Sequence, residues 1–170
     1  YHLFESMPED LKNNRQTGCQ MDLDQLMRQV TERKYRPGAY AVEYDRFSFI
    51  YQFIARNVER NGQHVQVVLL SMELPKDREI SLERIEDSLV LLESAIVRSL
   101  RRGDVTSRFS STQQVVVLMD ASKEDGVMVA NRILKKYNTL AKEAAITARF
   151  DIVEVPHAFS KRTEKNEEKA

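Results

Sequence analysis

Residues 100–119, LRRGDVTSRFSSTQQVVVLM, decide the fold of this chain. The stretch reads as the end of an amphipathic helix, followed by two strands and the polar turn that joins them. β-Branched and aromatic residues favour a first strand over Val105–Phe109, and the apolar run Val115–Leu118 is typical of a strand buried on both faces. Ser110–Gln113 interrupts the apolar pattern between them. The stretch therefore predicts a β-hairpin whose tip, residues 110–113, is exposed.

The composition is that of an ordinary globular chain. Of the 170 residues, 42% are hydrophobic and 31% are charged, which argues against wholesale disorder. The 26 basic residues balance 26 acidic ones, so no general positive field would draw in nucleic acid. No apolar run approaches the roughly 20 residues that cross a bilayer. Cys19 is the single cysteine, which excludes an intrachain disulfide and a cysteine-rich zinc site. We therefore expect a cytoplasmic protein with no membrane or nucleic-acid partner.

The sequence pattern divides the chain into three segments. Residues 1–34 lack a sustained period apart from a short helix that Asp22 would cap, and they read as a linker and helix from an upstream domain. The first residue, Tyr1, indicates that the chain was cut from a longer polypeptide. Residues 35–159 carry the regular pattern of a folded domain. Residues 160–170 contain no apolar residue except alanine, which predicts a disordered tail.

Helices and strands alternate in the folded domain. Amphipathic patterns predict three helices, and apolar, β-rich runs predict four strands. The helices cover about residues 43–60, 81–100 and 122–137, and the strands about 65–74, 105–109, 114–119 and 146–155. Two strands joined by a tight turn, beside strands joined by helices, indicate an α+β fold with a mixed sheet and flanking helices. The residues that we expect to be buried include Leu89, Ile96, Val116 and Ile133.

The hairpin and the helix end before it resemble the signature region of GGDEF domains, the diguanylate cyclase family. In that family an R-x-x-D motif ends a helix, a five-residue spacer follows, and the hairpin turn carries the sequence GG[D/E]EF. Arg101 and Asp104 stand in the R-x-x-D places, and Val105–Phe109 supplies the spacer. The five signature positions hold Ser110, Ser111, Thr112, Gln113 and Gln114. The resemblance covers residues 38–155 and implies the nucleotide-cyclase architecture, which is close to a ferredoxin-like core.

The replaced signature implies that the family's chemistry is lost. The two glycines of the family let the turn backbone lie against the nucleotide, whereas Ser110 and Ser111 put side chains there. The signature glutamate of the family binds a divalent metal, and Gln113 is neutral in its place. The other metal ligand is the first aspartate of a D-x-D motif at the end of a strand, and Ser71 aligns with it. The resemblance therefore implies a domain that is not an enzyme and holds no metal or cofactor.

Arg101 and Asp104 allow two interpretations. In many cyclases of the family this pair forms the inhibitory site, where the arginine binds phosphate and guanine of cyclic di-GMP and the aspartate accepts from a guanine edge. Arginine suits this task because its planar fork makes paired, charge-assisted hydrogen bonds. The structural alternative is simpler, since cations favour a helix C-terminus and an aspartate after a glycine is a common turn residue. Ligand binding by the pair stays open at this point.

The remaining candidate residues have structural interpretations. The three histidines, His2, His64 and His157, share no metal-ligand or triad spacing, and we expect them at the surface. Cys19 is expected to be an ordinary thiol. A group of aromatic residues follows helical spacing, so we expect core aromatics on a helix face rather than a platform for stacking bases. The members of this group are Tyr40, Tyr44, Phe47, Phe49, Tyr51 and Phe53.

Three functional hypotheses follow from the resemblance. The first is a non-catalytic signalling module, such as a response-regulator output domain, in a bacterial multidomain protein. It would act by homodimerisation or by binding a protein partner, downstream of a receiver or sensor domain. The second is a sensor that binds cyclic di-GMP or GTP without turnover through Arg101 and Asp104. The third, an enzyme with altered metal ligation, has the least support because Ser71 and Gln113 are both neutral.

Overall fold

The structure, a computed structural model, describes residues 20, 22–32, 34 and 37–157. The predictions for the tail, for His2 and for Cys19 therefore fall outside the described residues. The chain divides into two units, residues 1–35 and 36–170.

The first unit contains one helix, α1, over Leu23–Val30. The Asp22 carboxylate accepts a hydrogen bond from the Gln25 N–H at 2.8 Å, and the Gln25 side chain accepts one from the Asp22 N–H at 3.0 Å. This reciprocal capping box confirms Asp22 as the predicted N-cap. None of the residues of α1 is buried.

A five-stranded mixed sheet forms the centre of the second unit. In sheet order the strands run β1-β3-β4-β2-β5. β1 pairs in parallel with β3, and the other neighbouring strands are antiparallel. The bounds of the strands are β1 Tyr40–Ala41, β2 Gln66–Glu73, β3 Val105–Ser110, β4 Gln113–Leu118 and β5 Thr147–Glu154.

Three helices flank the sheet: α2 over Tyr44–Asn61, α3 over Leu82–Ser99 and α4 over Lys123–Leu140. The side chains of Ser81 and Ser122 accept the first backbone N–H groups of α3 and α4, as serine N-caps do. The predicted α+β class with a mixed sheet and flanking helices is confirmed.

Alternate residues of the strands point into two separate cores, because successive side chains of a strand face opposite sides of the sheet. On one face, α3 and α4 pack on β2 and β4. There Leu89, Ile96, Val116 and Ile133 are at most 1% exposed, which confirms their predicted burial. On the other face, α2 packs on a second apolar cluster: Phe47, Ile54, Val58, Val65, Val105, Val115, Val117 and Val155.

β1 was not predicted from the sequence, because two residues are too few to show any period. The Tyr40 N–H donates to the Asp104 carbonyl oxygen at 2.7 Å, which joins β1 to the start of β3. Just before β1, Gly38 has a φ of +85°, and a Cβ added there would lie 2.3 Å from the Val97 carbonyl oxygen. Only glycine permits this approach to α3. We call residues 37–43 the strap.

Candidate functional site

The tip of the hairpin is tighter than predicted. Ser110 and Gln113 belong to the strands and pair with each other, so the turn itself contains only Ser111 and Thr112. The Ser110 hydroxyl donates to Gln113 Oε1 at 2.9 Å and accepts from the Thr112 N–H at 3.3 Å. Ser110 and Ser111 are exposed, whereas Thr112 and Gln113 are half-buried and Gln114 is buried. The prediction of an exposed tip over residues 110–113 is thus right for the two serines, whereas Thr112 and Gln113 are half-buried.

Ser71 and Gln113 meet across the sheet. They are partners in the register of β2 and β4, and Gln113 Nε2 donates to Ser71 Oγ at 3.1 Å. The turn is also bound to the end of β2, since the Met72 N–H donates to the Thr112 carbonyl oxygen at 2.8 Å. The structure therefore brings together the two positions that the resemblance assigns to metal ligands. The contact between them is a hydrogen bond between neutral groups.

Asp104 lies under the helix end, where only 2% of it is exposed. Its two carboxylate oxygens accept hydrogen bonds from the N–H groups of Met119, at 3.1 Å, and Arg101, at 3.0 Å. The Arg101 guanidinium donates to the Met119 carbonyl oxygen at 2.8 Å, and its Nε lies 3.7 Å from the carboxylate. The carboxylate thus joins the end of α3 to the end of β4, while the arginine side chain remains 70% exposed.

Arg108 is a charged centre that was not among the candidate residues predicted from the sequence. Its guanidinium donates to the carboxylates of Glu93 and, at 2.9 Å, Glu86, both on α3. The hydrogen bond to Glu93, followed by that to Glu86, raises the pKa of Arg108 above its ordinary value. Glu93 also accepts from the buried Gln114 amide at 2.7 Å. The positive charge of β3 is therefore satisfied internally.

A groove of about 500 Å³ lies beside Arg108, between the strap, α3 and β3. Its polar wall includes Glu93 and Gln114, and its apolar wall includes Val42 and Val97. Neither composition nor spacing could have indicated it, because the strap is placed only by the pairing of β1.

Comparison with known proteins finds relatives in structure alone: no protein-family model and no curated protein matches the sequence. A DGC protein from Thermotoga maritima is 16% identical, with a TM-score of 0.56 over 71% of this chain and 84% of its own. The diguanylate cyclase SiaD from Pseudomonas aeruginosa, solved in complex with its activator SiaC, is also 16% identical. Its TM-score is 0.58 over 91% of this chain, which spans 62% of the SiaD chain.

The GGDEF domain of DgcB from Caulobacter crescentus, in complex with c-di-GMP, is 11% identical, with a TM-score of 0.52 over 73% of this chain and 80% of its own. This chain has the GGDEF fold. The hairpin of β3 and β4, read from residues 100–119, is the part of the sequence that indicated this fold.

Within this GGDEF fold, two histidines that are 93 residues apart in sequence lie together. The rings of His64 and His157 are 6.1 Å apart, and His64 Nδ1 is 2.7 Å from Glu154 Oε1. Glu154 also accepts from the Gln66 amide at 3.0 Å. The hydrogen bond with His64, and then that with Gln66, lowers the pKa of the Glu154 carboxyl below its ordinary value. The sequence could not reveal this cluster, which the pairing of β2 with β5 creates.

The predicted aromatic core of α2 is only partly present. Phe47 is buried and Tyr51 is half-buried, but Phe49 and Phe53 are 73% and 69% exposed. Tyr44 contacts Phe109 of the hairpin, with ring centroids 5.5 Å apart, and both rings are about half exposed. The interpretation as core aromatics was wrong for Tyr44, Phe49 and Phe53, because α2 buries one stripe and its aromatic residues extend around it. It was also wrong for Tyr40, which lies in β1 rather than on the helix and is 48% exposed.

The described part of the chain contains no group of three histidine, cysteine, aspartate or glutamate residues placed to hold a metal ion. It also contains no helix that is both long and apolar enough to span a membrane.

Proposed function

We propose that this chain is a non-catalytic signalling module with the GGDEF fold, which acts by contacting another protein or a second copy of itself. The observation that carries the proposal is the hydrogen bond between Gln113 Nε2 and Ser71 Oγ. It stands where the resemblance places two carboxylate ligands of a divalent metal.

The chemistry of these groups supports the proposal. Transfer to or from a nucleoside triphosphate relies on metal ions that neutralise phosphate charge, and such hard cations prefer carboxylate oxygens. A hydroxyl and a carboxamide are neutral, and here they satisfy one another. The exposed side chains of Ser110 and Ser111 also occupy the tip of the hairpin, where glycines would leave room for a nucleotide.

A role in protein contacts has a precedent in the structural relatives. The diguanylate cyclase SiaD was solved in complex with its activator SiaC, so one protein of this fold is known to receive a protein partner. We propose the same kind of input here, from a receiver or sensor domain upstream or from a separate protein. The output is then a change in assembly rather than a product.

The test is a turnover assay with the 170-residue chain. The protein is incubated with GTP and Mg²⁺ or Mn²⁺ at high protein concentration, and cyclic di-GMP is measured by mass spectrometry beside an active diguanylate cyclase domain. We expect no product above a heat-inactivated sample. The double variant Ser71→Asp/Gln113→Glu should also stay inactive, because Ser110 and Ser111 still obstruct the turn. Product from the unmodified chain would refute the proposal.

A second candidate function is nucleotide sensing through Arg101, and the exposure of its guanidinium favours it. The Asp104 carboxylate accepts hydrogen bonds from the backbone N–H groups of Arg101 and Met119, so in this function Asp104 would position the arginine. Calorimetric titration with cyclic di-GMP and with GTP tests the idea. If Arg101 contacts a phosphate, Arg101→Ala should weaken binding roughly ten- to hundredfold, and the neighbouring Arg102→Ala should change it less. No heat of binding at high micromolar ligand would exclude this function.

A further inference from the structure

The outer edge of β5 carries backbone groups that pair with no other strand of the described residues. β5 is the last strand in the sheet order, and among the described residues it pairs only with β2. Just past the strand, the Val155 N–H donates to the Val65 carbonyl oxygen at 2.8 Å. This hydrogen bond identifies the residues of β5 whose backbone groups are directed toward β2. In an antiparallel pair these groups alternate along the strand. Residues 147, 149, 151 and 153 therefore bond to β2, and residues 148, 150, 152 and 154 direct their N–H and C=O groups outward.

The two faces of β5 differ in the same alternation. Ala148, Phe150 and Ile152 pack against the core formed with α3 and α4. The other face carries four exposed residues: Thr147, Arg149, Asp151 and Val153. Arg149 Nε lies 2.7 Å from a Glu73 carboxylate oxygen, and its Nη1 donates to Asp151 at 2.7 Å. Opposite charges thus alternate across and along this exposed face.

We propose that β5 pairs antiparallel with β5 of a second copy of this chain, about a two-fold axis at Phe150. The proposal rests on the assembly role proposed above and assigns it a surface. Antiparallel pairing requires residues with outward backbone groups to bond to one another, and two-fold axes at residues 149, 150 and 151, near the middle of β5, are among those that meet this requirement. An axis at residue 149 places Arg149 opposite its own copy, and an axis at 151 does the same to Asp151.

An axis at Phe150 instead places Arg149 of each copy opposite Asp151 of the other. These positions form the pairs without mutual hydrogen bonds, where facing side chains come closest. Phe150 then exchanges two backbone hydrogen bonds with its copy, and Ala148 and Ile152 exchange the same across the interface. Thr147 faces Val153, which avoids burying a charge at either end. The charge pattern of β5 is therefore complementary to itself in one register.

The same charges do not protect the edge against pairing. Protected edges carry lysine or proline, or charges that repel a copy of the strand. On β5 the two charges have opposite signs and equal distances from Phe150, so a second copy attracts rather than repels. Glu73 extends the alternation, since it holds Arg149 from the β2 side.

The experiment uses charge reversal in the 170-residue chain, followed by sedimentation velocity over a range of concentrations. We expect a reversible monomer–dimer equilibrium for the unmodified chain. Arg149→Asp and Asp151→Arg should each weaken the dimer about ten- to hundredfold, because each creates two like-charge pairs. An equimolar mixture of these two variants should dimerise again, since each Asp then faces an Arg. Arg84→Asp, at an exposed arginine of α3, is the matched control and should leave the dimer unchanged.

Circular dichroism of each variant separates lost pairing from lost folding, and the mixture adds a second safeguard because misfolded chains would not recover on mixing. In a Cys19→Ser background, a mixture of Thr147→Cys and Val153→Cys chains should form a disulfide between copies. The register places these residues opposite one another, about 4.5 Å apart at Cα. Either variant alone should not cross-link.

Three results would overturn the proposal: a chain that stays monomeric at all concentrations, a dimer that Arg149→Asp leaves intact, or a variant mixture that fails to associate. None of these results would be evidence of cyclase activity. The turnover assay therefore tests the proposed non-catalytic function independently of this dimer.

Discussion

Replacing Asp104 with alanine should destabilise the whole domain. The buried carboxylate accepts the N–H groups of Met119 and Arg101, at 3.1 and 3.0 Å, and so joins α3 to the end of β4. A hydrogen bond to a charged group contributes about 1.5–3 kcal/mol. Once the carboxylate is removed, water can accept the hydrogen bond of the N–H of exposed Arg101. We therefore count the hydrogen bond from Met119 in full and the one from Arg101 in part. The expected loss is about 2–4 kcal/mol of unfolding free energy.

Urea unfolding followed by circular dichroism measures this loss. With a slope of about 2 kcal/mol per molar urea, the midpoint of Asp104→Ala should fall by roughly 1–2 M while the slope stays unchanged. Arg101→Ala is the matched control. It removes a 70% exposed side chain but keeps the backbone N–H, so it should cost less than about 1 kcal/mol. If Asp104→Ala costs no more than Arg101→Ala, the carboxylate does not have the structural role inferred here.

Two further outcomes are expected. Gly38→Ala should lower the free energy of unfolding by about 1–3 kcal/mol or more, because of its positive φ and its approach to Val97. Gly62→Ala, at a φ of 68° but with open space around the added Cβ, should cost less in the same urea unfolding experiment. Glu154, whose pKa is lowered chiefly by His64, contributes stability that is present above the ordinary pKa of glutamate and is lost as pH falls through its lowered pKa. Glu154→Gln should therefore reduce the fall in unfolding free energy as the pH is lowered. An unchanged dependence on pH in the acid range would contradict this.

Much of the fold could be predicted from the sequence, because its signals are local. Apolar runs specified β2, β4 and β5, and helical periods bounded by Ser81 and Ser122 specified α3 and α4. The strap was missed because Tyr40–Ala41 owes its strand conformation to β3 and not to its own residues. The exposure of Phe49 and Phe53 was missed because an aromatic-rich helix does not reveal how wide a stripe its sheet can cover.

The candidate site, like the fold, could be predicted from the sequence only in part. The alignment of Ser71 and Gln113 came from the sequence, but their direct hydrogen bond depends on the register of β2 with β4. The contacts of Arg108 with Glu86 and Glu93 also needed a tertiary structure, since helix and strand are separated by the turn before β3. Long-range pairing is the information that a single sequence lacks.

The position of β2 also determines the order in which the domain opens. All eight residues of β2 pair with β5, and β4 holds its other side, whereas the strap is joined through the two residues of β1. Local opening costs the free energy of the interactions that it breaks. Amide protons of the strap should therefore exchange with solvent long before those of β2, whose exchange requires the whole sheet to open. Force applied to the chain ahead of residue 37 reaches the strap first, and the strap can yield while the sheet keeps its register.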